Sequence, residues 1–394
     1  MKRFTCAILC LTLIFTFTAC SGKAVESNKK SDVITIGVIC PLTGESTIYG
    51  DVLAKTVQLL VNETNANGGI LGKQIVLKSY DNRDDAVETT NAARKAILND
   101  GVVAFIGTDS STSTIALVEV ATEYEIPVVT SIATNSKVTM TDDGKVRPYA
   151  FRACLSDPQS GSIMGEYVVN ELNYKNLAII YEIGSDFSIG ITNEFSESVE
   201  ANGGTVTTKE AYNTGDVDFR AVLTKIKNSK NFDAIYIAAG YYKQIGLIAN
   251  QARDLGITQP FITTEGAMSS DIFNIASNSI ENMVFNVAVD TESPNVKPLI
   301  EKFVAEYNYD PSVNVAADCF LAYDAYKLLE GAIEKAGVVD SNAIRDALES
   351  TTDLKGLTSN ISFVPETHVV IREVPICKIE NGGFITIGLF EPSK

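Results

Sequence analysis

Residues 102–116 read VVAFIGTDSSTSTIA: an apolar run passes through Gly107 into five consecutive hydroxyl residues, Ser110 to Thr114, that open a helical pattern. A strand feeding a helix in this way leaves the first helical N–H groups without intrahelical partners. They point out of the helix start, where the helix dipole adds roughly 0.3–1 kcal/mol for a nearby negative charge. Ser110, Ser111 and Thr112 add hydroxyl donors. Two uses fit this chemistry, an ordinary N-cap and an anion-binding turn, and the stretch alone does not separate them.

Outward from this turn, strand-like and helical patterns alternate. In the first half the strands are read at 33–40, 75–80, 102–106 and 127–130. The helices between them are read at 49–66, at 86–98 and up to about residue 125. Asn67-Gly68-Gly69 and Asn99-Asp100-Gly101 stand where helices should stop. A second series of the same kind has helices at 158–172, 190–201, 217–227 and 241–255. Its strands are read at 177–181, 205–211, 234–237 and 261–263. The stretch 298–350 is largely helical, and two strand-like runs, 374–379 and 384–389, close the chain around Asn381-Gly382-Gly383. Alternation of this kind predicts an α/β fold of two doubly wound lobes, each a parallel sheet covered by helices on both faces. Roughly 375 residues beyond the leader described next exceed the size at which a single core keeps growing, which also favours two lobes.

Met1-Lys2-Arg3 precedes an uncharged, mostly apolar run that ends at Cys20, the pattern of a secretory signal over residues 1–19. The run is short for a membrane span, and a polar Lys/Ser/Asn/Glu stretch follows to residue 32 as a tether. Phe17-Thr18-Ala19-Cys20 resembles a bacterial lipobox with Phe in place of the usual Leu, so Cys20 is the expected lipid-bearing residue of a membrane-anchored, extracytoplasmic protein. Loss of Lys2 and Arg3 takes the formal charge of −17 to about −19, an acidic balance that argues against nucleic-acid partners. Cys40, Cys154, Cys319 and Cys377 are scattered singly, without C-x-x-C pairs, and read as buried thiols rather than a zinc site.

Open parallel sheets bind ligands beyond the carboxyl ends of their strands, which selects six loops. Those of the first half, 41–50, 107–113 and 131–136, are rich in hydroxyls and free backbone. Those of the second, 182–188, 239–243 and 263–268, offer Phe187, Tyr241, Tyr242 and the carboxylate of Glu265. One side suits an anion; the other suits a cation and an apolar body.

The chain resembles the branched-chain amino-acid (leucine/isoleucine/valine) binding proteins of ABC transport. The likeness runs through IGVICPLTG with YGD, NETNANGGILGKQI, YDNRDD, IGTDSSTST, TSIATN, FRACLSDPQSG, GSDFSIG, AGYYKQIG, TTEGAMS and LAYDAYKLL, in that order. The resemblance implies two lobes joined by a three-segment hinge that closes on the ligand, with 33–153 and 287–360 in the first lobe and 154–286 and 361–394 in the second. It places the carboxylate-binding serine at Ser111, the second loop's backbone and hydroxyl donors at Ile132, Ala133 and Thr134, and the ammonium-binding acid at Glu265. Tyr49 and Tyr241 match wall aromatics, and Phe187 stands where a Tyr is common. Ser110 replaces a Cys that some relatives use in a disulfide, and YDNRDD contains no partner for one. Asp109 departs from an apolar family position. If it faces the cleft, a polar or cationic ligand side chain is favoured; it can equally point away. Asp318 is a further acid that reads either as a ligand neighbour or as a surface helical residue.

A zwitterion leaving water needs a directed partner at each charged end, which Ser111 with the helix start and Glu265 would supply. No cofactor is expected. Catalysis is disfavoured because no G-x-S-x-G elbow, no P-loop and no metal-spaced histidine cluster is present, and the sole histidine, His368, lies near a closing strand. The expected partners are a small amino acid and an ABC permease, with the protein acting as a monomer. A sensory receptor of the same fold, signalling to a membrane partner, is the alternative.

Overall fold

The computed structural model describes residues 33–229, 231–291, 293–309, 317–370 and 374–390; the signal segment, the tether and Cys20 lie outside the described residues, as do the side chains of Ala317 and Asp318. The first sheet takes its strands from the start of the chain: β1 (Val33–Cys40), β2 (Gln74–Asp81), β3 (Ala104–Gly107), β4 (Val128–Thr130) and β5 (Ala150–Arg152). Helices α1 (Thr47–Ala66), α2 (Ala86–Asp100) and α3 (Ser111–Glu123) connect the first four. All pairings are parallel, in the order β2-β1-β3-β4-β5. Side chains alternate between two buried faces: Ile36 and Val38 enter one core cluster, while Ile39 and Phe105 enter another with Leu117. Burial on both faces explains why these strands read as continuous apolar runs.

The second sheet follows from α4 (Asp157–Asn170) onward. It is built from β6 (Asn176–Glu182), α5 (Asp186–Ala201), β7 (Thr205–Tyr212), α6 (Arg220–Ser229), β8 (Ala234–Ala238), α7 (Tyr242–Asp254), β9 (Phe261–Thr263), α8 (Ile272–Ala276) and β10 (Val284–Asn286). Its parallel part, β7-β6-β8-β9-β10, repeats the winding of the first sheet. The chain then returns to the first core through α9 (Lys297–Tyr307), α10 (Ala322–Ala336) and α11 (Ser341–Glu349). The short strands β11 (Leu354–Lys355), β12 (Asn360–Ile361), β13 (Phe363–Val364) and β14 (Val369–Val370) follow. It finishes in the second sheet as β15 (Val374–Glu380) and β16 (Gly383–Phe390).

Two expectations are corrected here. The second sheet is not wholly parallel: β15 runs antiparallel to β10 and to β16, the latter because the tight turn at Asn381 and Gly382 has no length for a crossover. The passage to the second sheet also comes later than residue 361, since Ile361, Phe363 and Val370 pack in the first core. Strands β5 and β10 and the start of α6 at Arg220 also differ from the pattern reading. β5 and β10 are three residues each, too short for periodicity alone to mark them.

Among the described residues, Cys40, Cys154, Cys319 and Cys377 are buried thiols. Three passages link the two cores: between β5 and α4, between β10 and α9, and between β14 and β15. At the first of these, Ala153 and Cys154 pack with one core and Leu155 with the other.

Candidate functional site

In a sheet wound 2-1-3-4-5, the carboxyl ends of strands 1 and 3 flank the point where the winding reverses, and the loops there diverge to leave a crevice. Both halves have this winding. The loops leaving β1 and β3 bring Tyr49, Asp109, Ser110 and Ser111; the loops leaving β6 and β8 bring Phe187 and Tyr241. These residues line one cavity of about 160 Å³ together with Asp84, Ile132, Glu182, Thr214, Glu265, Gly266 and Met268. A dry cavity of about 150 Å³ holds a benzene-sized body, so this volume suits a small metabolite rather than a peptide or nucleotide.

The cavity is roofed by contacts between the halves. Tyr49 Oη donates to the Gly266 carbonyl at 3.3 Å and accepts from the Tyr242 amide at 3.1 Å, with its ring 4.7 Å from that of Tyr241. Asn135 Nδ2 donates to the Asp186 carbonyl at 2.6 Å, and Lys243 pairs with Glu45 at 2.6 Å. Within the second half, Gly266 lets the loops after β8 and β9 pack together, because a Cβ there would collide with the Gly240 carbonyl.

At the hydroxyl-rich turn the side chains divide into two sets, one of which caps the helix. Gly107 ends β3 at φ 128°, where a Cβ would collide with the Ile39 carbonyl. Ser110 is the N-cap of α3, its Oγ accepting from the Ser113 amide at 3.4 Å. Its own hydrogen goes to Asp84 Oδ1, so a hydrogen bond to YDNRDD ties the two loops where a disulfide is absent. Ser113 Oγ also donates to Asp84, at 3.2 Å, and Thr114 Oγ1 donates to the Ser110 carbonyl at 2.7 Å. Ser111 and Thr112 differ from the other three. Ser111 Oγ accepts from the Asn135 amide at 3.2 Å and Thr112 Oγ1 from the Asp186 amide at 3.2 Å. Each hydroxyl thus accepts one backbone hydrogen bond, and its own hydrogen remains to be given to an acceptor in the cavity.

Glu265 opens a single 3₁₀ turn, Glu265–Ala267, directly after β9. Its Oε2 is shielded from solvent and has no partner, and burial pushes the carboxyl up to about 7. An acid held this way lacks a cation. The described lining residues include no Lys, Arg or His.

Asp109 faces inward. It is 6% exposed, its Oδ2 accepts from Tyr241 Oη at 2.9 Å, and its Oδ1 has no partner. Tyr241 Oη also lies 2.7 Å from Asp84 Oδ2. Burial first, and the Asp84 charge second, push the Asp109 carboxyl well above its ordinary value.

Not every expected residue reaches the cavity. Ala133 does not line it: its amide donates to Thr130 Oγ1 at 3.2 Å and its side chain is buried. Thr134 lies behind, beside a smaller space of about 20 Å³ that it shares with Ile132 and Glu265. His368 sits elsewhere, stacked on Phe151 at 4.3 Å with Nδ1 2.9 Å from the Ala150 carbonyl, and burial lowers its pKa. Asp84 was not singled out from the sequence. It follows an edge strand and turns inward through consecutive left-handed residues, Arg83 at φ 52° and Asp84 at φ 57°. The acidic run of YDNRDD was the available signal.

The family described as periplasmic binding protein matches residues 33–383. A Leu/Ile/Val-binding protein of Rhizobium johnstonii is 30% identical over 89% of this chain and 93% of its own length. A leucine-, isoleucine-, valine-, threonine- and alanine-binding protein of Pseudomonas aeruginosa is 29% identical over 90% of this chain and 91% of its own. Among solved structures, a leucine-binding protein of Thermotoga maritima superposes with a TM-score of 0.82 at 30% identity, covering 91% of this chain and 99% of its own. A branched-chain amino acid transporter substrate-binding protein of Streptococcus pneumoniae, solved in complex with isoleucine, gives 0.81 at 32%, covering 91% and 100%. These relatives are named for what they bind, not for a catalysed reaction.

Proposed function

This chain belongs to the periplasmic binding protein family, and from that premise we propose that it captures an amino acid between its two lobes outside the cytoplasm and delivers it to an ABC importer. The observation that carries this reading is the opposition, around one cavity, of a helix start with free hydroxyl hydrogens and a shielded acid with no cation. The ligand carboxylate accepts from Ser111, Thr112 and the first amides of α3, where the helix dipole favours negative charge. Its ammonium pairs with Glu265. Tyr49, Phe187 and Tyr241 wall the body of the molecule. Because both ends of the zwitterion leave water on closure, each interaction is charge-assisted and strong, while a neutral sugar leaves Glu265 without its counter-ion.

A thermal-shift screen of the twenty amino acids, with sugars and short peptides as controls, tests the reading. At 100-fold excess over Kd a true ligand stabilises the fold by about 2.7 kcal/mol, so at least one amino acid is expected to raise the unfolding midpoint by several degrees. A midpoint moved only by a sugar or a peptide overturns it.

Membrane attachment through Cys20 is part of the same proposal and rests on Phe17-Thr18-Ala19-Cys20. Labelling of cells with a palmitate analogue is expected to mark the wild-type chain and to be lost in Cys20→Ala. Persistent label in that variant removes the anchor.

A further inference from the structure

The cavity holds more carboxyl groups than an ordinary amino acid needs. Asp84, Asp109, Glu182 and Glu265 all line it, against no described cation. A neutral zwitterion brings one ammonium, which Glu265 takes, and one carboxylate, which α3 takes. Three acids then remain.

Two of them crowd one atom. Tyr241 Oη has a single hydrogen, yet Asp84 Oδ2 lies 2.7 Å away and Asp109 Oδ2 2.9 Å away, so the two carboxylate oxygens are separated by no more than the sum of those distances. One hydrogen serves one acceptor, and the second contact stays repulsive unless a proton or a cation arrives. A proton on Asp109 Oδ2 relieves that contact, because it donates to Tyr241 Oη while the Tyr241 hydrogen goes to Asp84. It still leaves Asp109 Oδ1 buried without a donor, so the occupant must supply one, and a cationic donor there also allows both carboxylates to ionise. The aromatic faces of Tyr49, Phe187 and Tyr241 around the same space are also favourable to a cation.

We propose that the solute is a basic amino acid, a zwitterion carrying a second positive charge on its side chain, and that Asp109, supported by Asp84, receives that charge. The inference rests on the amino-acid reading above and extends it to the far end of the ligand. Glu265 and Ser111 hold the α-ammonium and the α-carboxylate; Asp109 sorts side chains.

Titration calorimetry of the purified full chain with L-lysine, L-arginine, L-leucine and cadaverine tests it. Lysine or arginine is expected to bind at least about 10-fold more tightly than leucine, the effect of one charge-assisted hydrogen bond. Cadaverine, which lacks a carboxylate for the start of α3, is expected to bind more weakly than lysine. Leucine binding more tightly than both basic amino acids overturns the inference and leaves the amino-acid site standing. Failure of all three amino acids also overturns the inference and leaves the amino-acid reading to the screen of all twenty, whereas cadaverine equalling lysine removes the α-carboxylate from recognition and counts against that reading itself. In Asp109→Asn the ratio of lysine to leucine affinity is expected to fall by roughly 10- to 100-fold, and an unchanged ratio removes Asp109 from side-chain recognition.

Discussion

Glu265→Ala is expected to weaken amino-acid binding by about 3–5 kcal/mol, the usual cost of leaving one member of a buried ion pair alone. The ammonium would lose its counter-ion where both charged ends of the ligand have left water. Titration calorimetry giving the wild-type affinity removes Glu265 from the ligand. The pH dependence carries a matching signature. In the ligand-free fold the Glu265 carboxyl titrates at about 7, raised by burial above its unfolded value. Its raised pKa therefore stabilises the fold fully below the unfolded value, and that contribution is lost as pH rises through 7, where charging a shielded, unpaired carboxylate becomes necessary. Binding has the opposite slope: the ammonium needs the ionised acid, so affinity falls as pH drops below about 7. Glu265→Gln removes the titration and so flattens both slopes. It sacrifices affinity and, above pH 7, makes the empty fold more stable than wild type.

The legible parts of this site are those governed by backbone rules. Ser111 and Glu265 stand in the turns that follow strands β3 and β9, and ligands of such sheets gather at strand carboxyl ends, so strand boundaries alone delimited their loops. The direction of Asp109 was not legible, because it depends on how the chain turns between Gly107 and the Ser110 cap, and one residue of difference reverses a side chain. Thr134 illustrates the complementary difficulty. A Thr in the correct loop reads as a hydroxyl donor, yet here its carbonyl is occupied by Arg152 and the Asp157 amide, and this turns the side chain away from the main cavity. Asp84 required a tertiary fact, the Tyr241 hydroxyl arriving from the other half of the molecule. In the fold, long apolar runs such as β1 and β6 announced themselves, whereas β5 and β10 gained strand character only from their neighbours in the sheet. The boundary near residue 361 failed for a related reason. Ile361, Phe363 and Val370 are apolar enough for either core, and only packing chooses between them.

Arg152 is the position where the largest loss of stability is expected. It ends β5 at 0% exposure, immediately before the first passage between the lobes. Its guanidinium donates to the Thr134 carbonyl, to the Asn135 carbonyl at 2.6 Å and to Thr139 Oγ1 at 3.4 Å. Buried Asp157, whose carboxyl is pushed up to about 8 by burial, lies near enough for the two charges to interact. In Arg152→Met the Asn135 carbonyl loses its donor and Asp157 loses a favourable charge, so unfolding free energy is expected to fall by about 3–5 kcal/mol. The corresponding drop in midpoint is on the order of 10 °C. Arg152→Lys restores the charge but not the planar fork that spans neighbouring acceptors, and should recover less than half of the loss. The loss also reaches the ligand through geometry. Asn135 accepts from Arg152 with its carbonyl and donates its amide to Ser111 Oγ at 3.2 Å, so the guanidinium positions the hydroxyl assigned to the ligand carboxylate. Arg152→Lys should therefore bind its amino acid more weakly even at temperatures where it is fully folded. Equilibrium urea unfolding and calorimetry on the same samples separate the two effects. A stability loss below about 1 kcal/mol would mean that water replaces the guanidinium, and full affinity in a folded Lys variant would break the proposed link from Arg152 through Asn135 to Ser111.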